Sequence, residues 1–213
     1  MPESKTILIY KLEELEGAPR EHALGQLAEM ETMHEWWENV YDSFQGMCDS
    51  VGISVDLKNT FFNGFSVQGQ GAAFTASIDV AKLIGVSDSD LSEEIATTFP
   101  RIDLSGIDTP VLVAIEEGTI QFYASTAPAG FRNTDQKTEG EWHFDLPYCP
   151  RDATTTEGIL GSLDALIGEY MTELGNWLFT CLRDEYEYIT GEECLSEMAE
   201  ANEYRFLENG ETA

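Results

Sequence analysis

The chain has 213 residues and a formal net charge of −29, from forty Asp or Glu against eleven Lys or Arg. Its 42% hydrophobic share is that of a folded protein, and no apolar run approaches the ~20 residues needed to cross a bilayer. Such a negative balance argues against direct binding to DNA, RNA or an anionic membrane. Two readings of it stay open: recruitment of a basic partner, or adaptation to a salty host. Glu outnumbers Asp about two to one, which weighs against the second.

The opening "MPESKTILIYKLEEL" has no basic leader and no long apolar stretch, so the expectation is a protein of the host-cell cytoplasm. Cys48, Cys149, Cys181 and Cys194 are scattered without a C-x-x-C pair and read as free thiols.

In chain order, "KTILIYKLEEL" reads as a strand from its alternation and β-branched residues, and "APREHALGQLAEM" as a short helix with Pro19 in its first turn. In "METMHEWWENVYDSFQGMCDSVG", Trp37, Val40, Tyr41, Phe44, Met47, Cys48 and Val51 recur every three or four residues. They predict one helix with a single apolar face, stopped by Gly52. "ISVDLKNTFFNGFSVQGQGAAFTASIDV" predicts two or three strands. "SDSDLSEEIATTFPRI" predicts a helix start capped by Asp90, with Glu93 three residues on. "TPVLVAIEEGTIQFYAST" reads as a hairpin turning at Glu116-Glu117-Gly118. Residues 127–156 read as a long loop with one short strand, "GEWHFDL". Beyond it, Leu160, Leu163, Ile167, Tyr170, Met171, Leu174, Trp177, Leu178, Cys181 and Leu182 form the stripe of one long helix or a broken pair, followed by a last helix and a tail. With no repeat and no linker, residues 1–213 are expected to form a single acidic α+β domain, a small antiparallel sheet packed with several helices.

Four pieces of the chain, "EELEGAPREHAL", "WWENVY", "FNGFSVQGQGAAF" and "LRDEYEYITGEE" with "ANEYRFLENG", carry a resemblance. The chain resembles a family of uncharacterised phage proteins, some labelled as an antitoxin of a toxin–antitoxin stability system. Asn63 stands where that pattern has a serine before Gly-Phe, and Gln70 where it has an Asp between the glycines. The resemblance implies a protein-binding, counter-defence role and no known chemistry.

The chemistry-bearing candidates are few. The glycines of "GFSVQGQGAAF" lack the G-x-G-x-x-G spacing and the lysine of a phosphate loop, so Gly64, Gly69 and Gly71 are expected to serve a turn or bulge through positive φ or close backbone approach. In "EWHFD", Glu141, His143 and Asp145 alternate and would project to one side of a strand, the basis of an alternative reading as a small metal-assisted hydrolase. Cys149 lies near His143 in sequence, which says little about a nucleophile–base pair. No catalytic residue, cofactor or metal is assigned.

The acidic pattern is stronger. Between Arg20 and Lys58 there is no Lys or Arg, and Glu31, Glu35, Glu38, Asp42 and Asp49 step by three, four or seven along the expected aromatic helix. Near the end the acidic excess recurs: residues 152–213 hold fifteen Asp or Glu, among them Glu185, Glu187, Glu192, Glu193, Glu197 and Glu200, against Arg183 and Arg205. Like charges at such spacing cost a helix a few tenths of a kcal/mol per pair, and a face kept only for solubility would mix in lysines. Rows of carboxylates on rigid helices can imitate the phosphates of a duplex, which carries one charge per ~1.7 Å of axis. These eleven residues are the expected partner-binding set, and the partner is a basic nucleic-acid-binding host protein, a defence nuclease or toxin. The expected role is that of a non-enzymatic inhibitor, with Trp36 or Tyr188 as apolar anchors. An acidic structural phage protein without mimicry is the further alternative, and both monomer and homodimer stay open.

Overall fold

The computed structural model describes residues 7–65, 70–86, 91–128, 136–144 and 153–213, without side-chain detail at 94, 122, 136, 140–144 and 153–160. The fold is α+β. The chain divides into two compact units, residues 40–181 and residues 1–39 with 182–213.

Residues 40–181 are built on a four-stranded antiparallel sheet in the order β1 (Ile53–Asn63), β2 (Gly71–Asp79), β3 (Ile120–Pro128) and β4 (Gln136–Phe144). Central β2 is the most buried, with Ala72, Ala73, Phe74, Ala76 and Ile78 all in the core. Its small residues face the bulky end of β1: Ala73 pairs with Phe61 and Ala72 with Phe62. From Asp56 to Phe61 is five steps on β1, against two from Thr75 to Ala73 on β2, so three residues bulge out. Asp56 holds the bulge together. Its carboxylate accepts from the Lys58 N–H at 3.1 Å and the Asn59 amide at 2.7 Å, and its carbonyl accepts from the Thr60 hydroxyl at 3.0 Å.

Of the glycine stretch, residues 71–74 lie in β2, as expected, while residues 66–69 lie outside the described residues. Gly71 opens β2 at φ +155°, whereas Gly64 has an ordinary φ and open space around it, so nothing there demands a glycine. Gly69 lies outside the described residues.

Of the two expected forms, one long helix and a broken pair, the chain adopts the single helix. In α6 (Ala153–Ile189), Leu163, Ile167, Tyr170, Met171, Leu174, Leu178 and Leu182 are buried at three- and four-residue spacing. Trp177 of α6 stacks with Phe44 of α2 (Glu38–Ser50) at 6.1 Å and meets Phe99 edge-on at 5.3 Å, and Phe44 meets Phe74 of β2 edge-on at 5.1 Å. Beneath them Cys48 is buried, and burial, aided by the neighbouring Asp49 charge, pushes its thiol above the usual range. Gly52 ends α2 at φ +87°, where a Cβ would sit 2.9 Å from both the Asp79 carbonyl and Lys82. Asp79 in turn caps α3 (Val80–Gly85), and the Lys82 ammonium donates to the Asp49 carbonyl at the end of α2 over 2.7 Å.

Four expectations need correction. The segment Thr109–Glu116 is not a strand of a hairpin but helix α5. Asp108 at the N-cap and Pro110 in the first turn start it, Val111, Ala114 and Ile115 bury one side, and Gly118 at φ +74° stops it before β3. The helix α4 (Glu93–Thr98) is capped by Ser92, which accepts from the Ile95 N–H, rather than by Asp90, which lies outside the described residues. Among its described residues the N-terminal segment is no strand: residues 7–9 are irregular and exposed, and Tyr10 makes a single antiparallel bridge to Phe206. Finally, the aromatic helix is shorter than expected. Helix α1 (Gly17–Thr32) ends first, residues 33–37 turn, and α2 starts at Glu38. Thr32 bonds back to the Ala28 carbonyl at 2.8 Å, and Thr, His and Trp are weak helix formers, so the chain turns here.

In the unit of residues 1–39 and 182–213, α1 packs on α7 (Glu192–Ala201) through Ala23, Leu27, Leu195 and Ala199. Leu12 and Leu15, flanking a 3₁₀ turn (Leu12–Glu14), and Phe206 of the tail close this small core. Arg20 ties the pieces together, donating to the Leu12 carbonyl and to Glu192, both at 2.8 Å.

Candidate interaction surface

The unit of residues 1–39 and 182–213 carries the densest charge. It holds nineteen Asp or Glu against five Lys or Arg, net −14 over 71 residues, while residues 40–181 hold twenty-one against six, net −15 over 142. The acidic set divides accordingly. Asp42 and Asp49, both exposed, belong to residues 40–181, and Lys82 stands beside Asp49. Glu31 lies near the end of α1, Glu35 in the turn and Glu38 at the start of α2, so the expected single ridge on one helix does not exist.

What the fold brings together is different. The thiol of Cys194, half-buried in α7, has its pKa raised first by partial burial and then by the charges of Glu31, Glu197 and Glu185. Carboxylates from α1, α6 and α7 therefore share one neighbourhood. Along α7 the burial of Leu195 and Ala199 turns Glu193, Glu197 and Glu200 outward, all three exposed and, among the described residues, without an ion-pair partner. Glu192 is engaged by Arg20, and Glu187 lies 3.9 Å from Arg183, which also holds Asp184 at 3.1 Å.

Two features were missed by sequence reasoning. One is a groove of about 440 Å³ between the 3₁₀ turn, α7 and the tail. Its lining joins Lys11, Arg20 and Arg205 to Glu13, Glu193, Glu197, Glu200 and Glu203. The Tyr10–Phe206 bridge, with bonds of 2.8 and 2.9 Å, assembles these walls from distant parts of the chain. The other is a ring cluster. Trp36 meets Trp37 edge-on at 5.8 Å and Tyr186 of α6 at 5.7 Å. Trp36 is half-buried against these rings, while Tyr188 is 65% exposed.

The hydrolase candidates fare differently. Glu141 and His143 stand two positions apart on β4, opposite Tyr123 and Gln121, while Asp145 and Cys149 lie outside the described residues. Among the described residues no group of three His, Cys, Asp or Glu is placed to hold a metal ion, and no helix is long and apolar enough to cross a membrane.

No curated protein and no solved structure matches the chain. The profile of one family matches residues 36–192, from Trp36 to Glu192, which leaves α1 and nearly all of α7 outside it and keeps the ring cluster within. The chain accordingly belongs to the DUF8835 family, described as a domain of unknown function.

Proposed function

We propose that this protein is a non-enzymatic inhibitor that binds the basic nucleic-acid site of a host defence nuclease or toxin. The observation that carries this reading is the charge of residues 1–39 and 182–213, net −14, with the Glu193, Glu197 and Glu200 carboxylates turned outward on α7. From Glu193 to Glu200 is seven residues, about 10 Å of helix axis, along which three charges are held by a folded core rather than by a floppy tail. A site built to grip phosphates reads such a field as nucleic acid. Long-range attraction would speed encounter, and occupation of the site would exclude the nucleic acid. The resemblance to antitoxin-type phage proteins supports the same role.

The test is charge reversal of Glu193, Glu197 and Glu200 to Lys in one variant. The three side chains are exposed, so the fold is expected to melt unchanged or higher as repulsion is relieved. Protection of the nuclease's target DNA in the host should be lost. A variant that protects as well as the unaltered protein would remove this surface from the mechanism.

A further inference from the structure

We propose that the groove between the 3₁₀ turn, α7 and the tail receives the C-terminal end of a basic peptide segment of the partner. Lys11 and Arg205 would hold its terminal carboxylate, and Glu193, Glu197 and Glu200 its cationic side chains. This rests on the reading of the partner as cationic and names the part of it that is gripped. Positive charge is scarce in the chain, at eleven Lys or Arg in 213 residues, yet three of them, Lys11, Arg20 and Arg205, line this one groove. The backbone brings two of the three together. Tyr10 and Phe206 exchange N–H···O bonds of 2.8 and 2.9 Å as an antiparallel pair. Lys11 follows Tyr10 and Arg205 precedes Phe206, so the two cations are neighbours across the bridge. Like charges at facing positions destabilise a paired backbone, and an anion between them reverses the sign. The Lys11 ammonium meets Glu13 at 3.4 Å. The Arg205 guanidinium donates to the Tyr204 carbonyl at 2.9 Å and, among the described residues, has no ion-pair partner. Arg20, in contrast, is occupied by the Leu12 carbonyl and Glu192.

The α7 wall of the groove has the other sign. Glu193, Ser196, Glu197 and Glu200 recur every three or four residues on one face of the helix, over about 10 Å of its axis. The Tyr204 N–H bonds the Ala199 carbonyl at 2.9 Å, which sets Arg205 at the C-terminal end of α7. The groove is therefore positive at one end and negative along one wall. A plain polycation meets repulsion at Lys11 and Arg205, and a plain anion meets repulsion along α7. A ligand that carries both signs in order meets neither. The end of a basic peptide is such a ligand: a carboxylate at the terminus, with cationic side chains behind it at ~3.3 Å per extended residue, so about three residues match the acidic row. The cavity of about 440 Å³ falls in the ~300–1,000 Å³ range of small-ligand pockets. Charge-assisted bonds from a guanidinium and an ammonium suit a terminal carboxylate.

The experiment titrates the full chain by calorimetry at low salt with trilysine as the free acid, trilysine as the C-terminal amide, and free lysine. The amide has the larger positive charge, so attraction to an acidic surface alone favours it. A carboxylate pocket predicts the reverse, with the free acid bound at least about tenfold more tightly than the amide. Lys11→Gln and Arg205→Gln should each abolish that preference while leaving salt-dependent binding of the amide. If Arg205→Gln does not fold, Lys11→Gln, at an exposed side chain, still decides. An amide bound as tightly as the acid, or a preference kept in the folded variants, would overturn the carboxylate pocket and leave the electrostatic reading standing. Free lysine bound as tightly as trilysine would overturn a peptide as the occupant. Binding of none of the three would sink both the pocket and the electrostatic reading.

Discussion

Gly210 and Pro19 are packed so closely that no side chain fits between them. Gly210 has φ +86°, and a Cβ built there would collide with the Pro19 carbonyl oxygen and lie 3.0 Å from the carbonyl carbon. Around this contact the tail is fastened to α1. Asn209 meets His22 at 3.1 Å, and Gln26 accepts from the Thr212 backbone and hydroxyl at 3.1 and 2.9 Å. Gly210→Ala combines left-handed strain of ~1–2 kcal/mol with overpacking of ~1–3 kcal/mol. It is expected to lower stability by more than ~2 kcal/mol in urea unfolding. Gly64→Val, at an ordinary φ with open space, should cost well under that.

The end of α7 makes the opposite prediction. Glu203 takes φ +55°, the only described non-glycine residue at positive φ. The Tyr204 N–H bonds the Ala199 carbonyl at 2.9 Å and the Glu203 N–H bonds the Glu200 carbonyl at 3.1 Å, the paired bonds of a Schellman stop. Glycine is the residue suited to that position, and a left-handed L-residue costs roughly 1–2 kcal/mol. Glu203→Gly should therefore raise stability by about 1 kcal/mol, read as a higher urea midpoint at unchanged slope. A lower midpoint would mean that the side chain contributes more than its backbone strain removes.

Long, periodic elements were legible in the sequence because one face decides them: from Leu163 to Leu182 the stripe of α6 is buried, with Trp177 and Cys181 half-buried at its margin, and Gly52 stops α2 where the pattern ends. The run from Val111 to Ile115 was not, since five apolar residues fit a buried strand or a helix equally, and Asp108 with Pro110 decided for helix. Spacing also joined Glu31 to Asp49 in one row, because helical periodicity cannot see a turn at residues 33–37. The groove escaped because it depends on Tyr10 pairing with Phe206, and the Trp36–Tyr186 contact because nothing local links them. The acidity of the candidate surface was legible; which carboxylates meet was not.

Buried acids give a pH dependence with a definite sign. Burial raises the hydroxyls of Tyr41 and Tyr170 and the thiol of Cys48 above their usual ranges, and the Tyr170 hydroxyl donates to the Pro100 carbonyl at 3.0 Å. The folded state therefore keeps protons that the unfolded chain releases. This stability is present below the unfolded pKa values, about 8.5 for Cys and 10 for Tyr, and is lost as pH rises beyond them. Urea unfolding should show a decline starting near pH 8.5 from Cys48 and steepening near pH 10. Cys48→Ala should be less stable at neutral pH yet flatter over about pH 8.5–10. Parallel curves for the two proteins would show that Cys48 is not the group responsible.

The central claim is that carboxylates on residues 1–39 and 182–213 hold a basic partner by its nucleic-acid site. The most direct measurement is the affinity of the captured partner across salt, with and without excess duplex DNA. Exposed charges are screened beyond ~8 Å at physiological ionic strength. Raising salt from 50 to 200 mM is expected to weaken binding at least about tenfold, chiefly through a slower association rate, and duplex should compete. An affinity flat across that range and indifferent to duplex would contradict the account and place the interface on apolar surface instead.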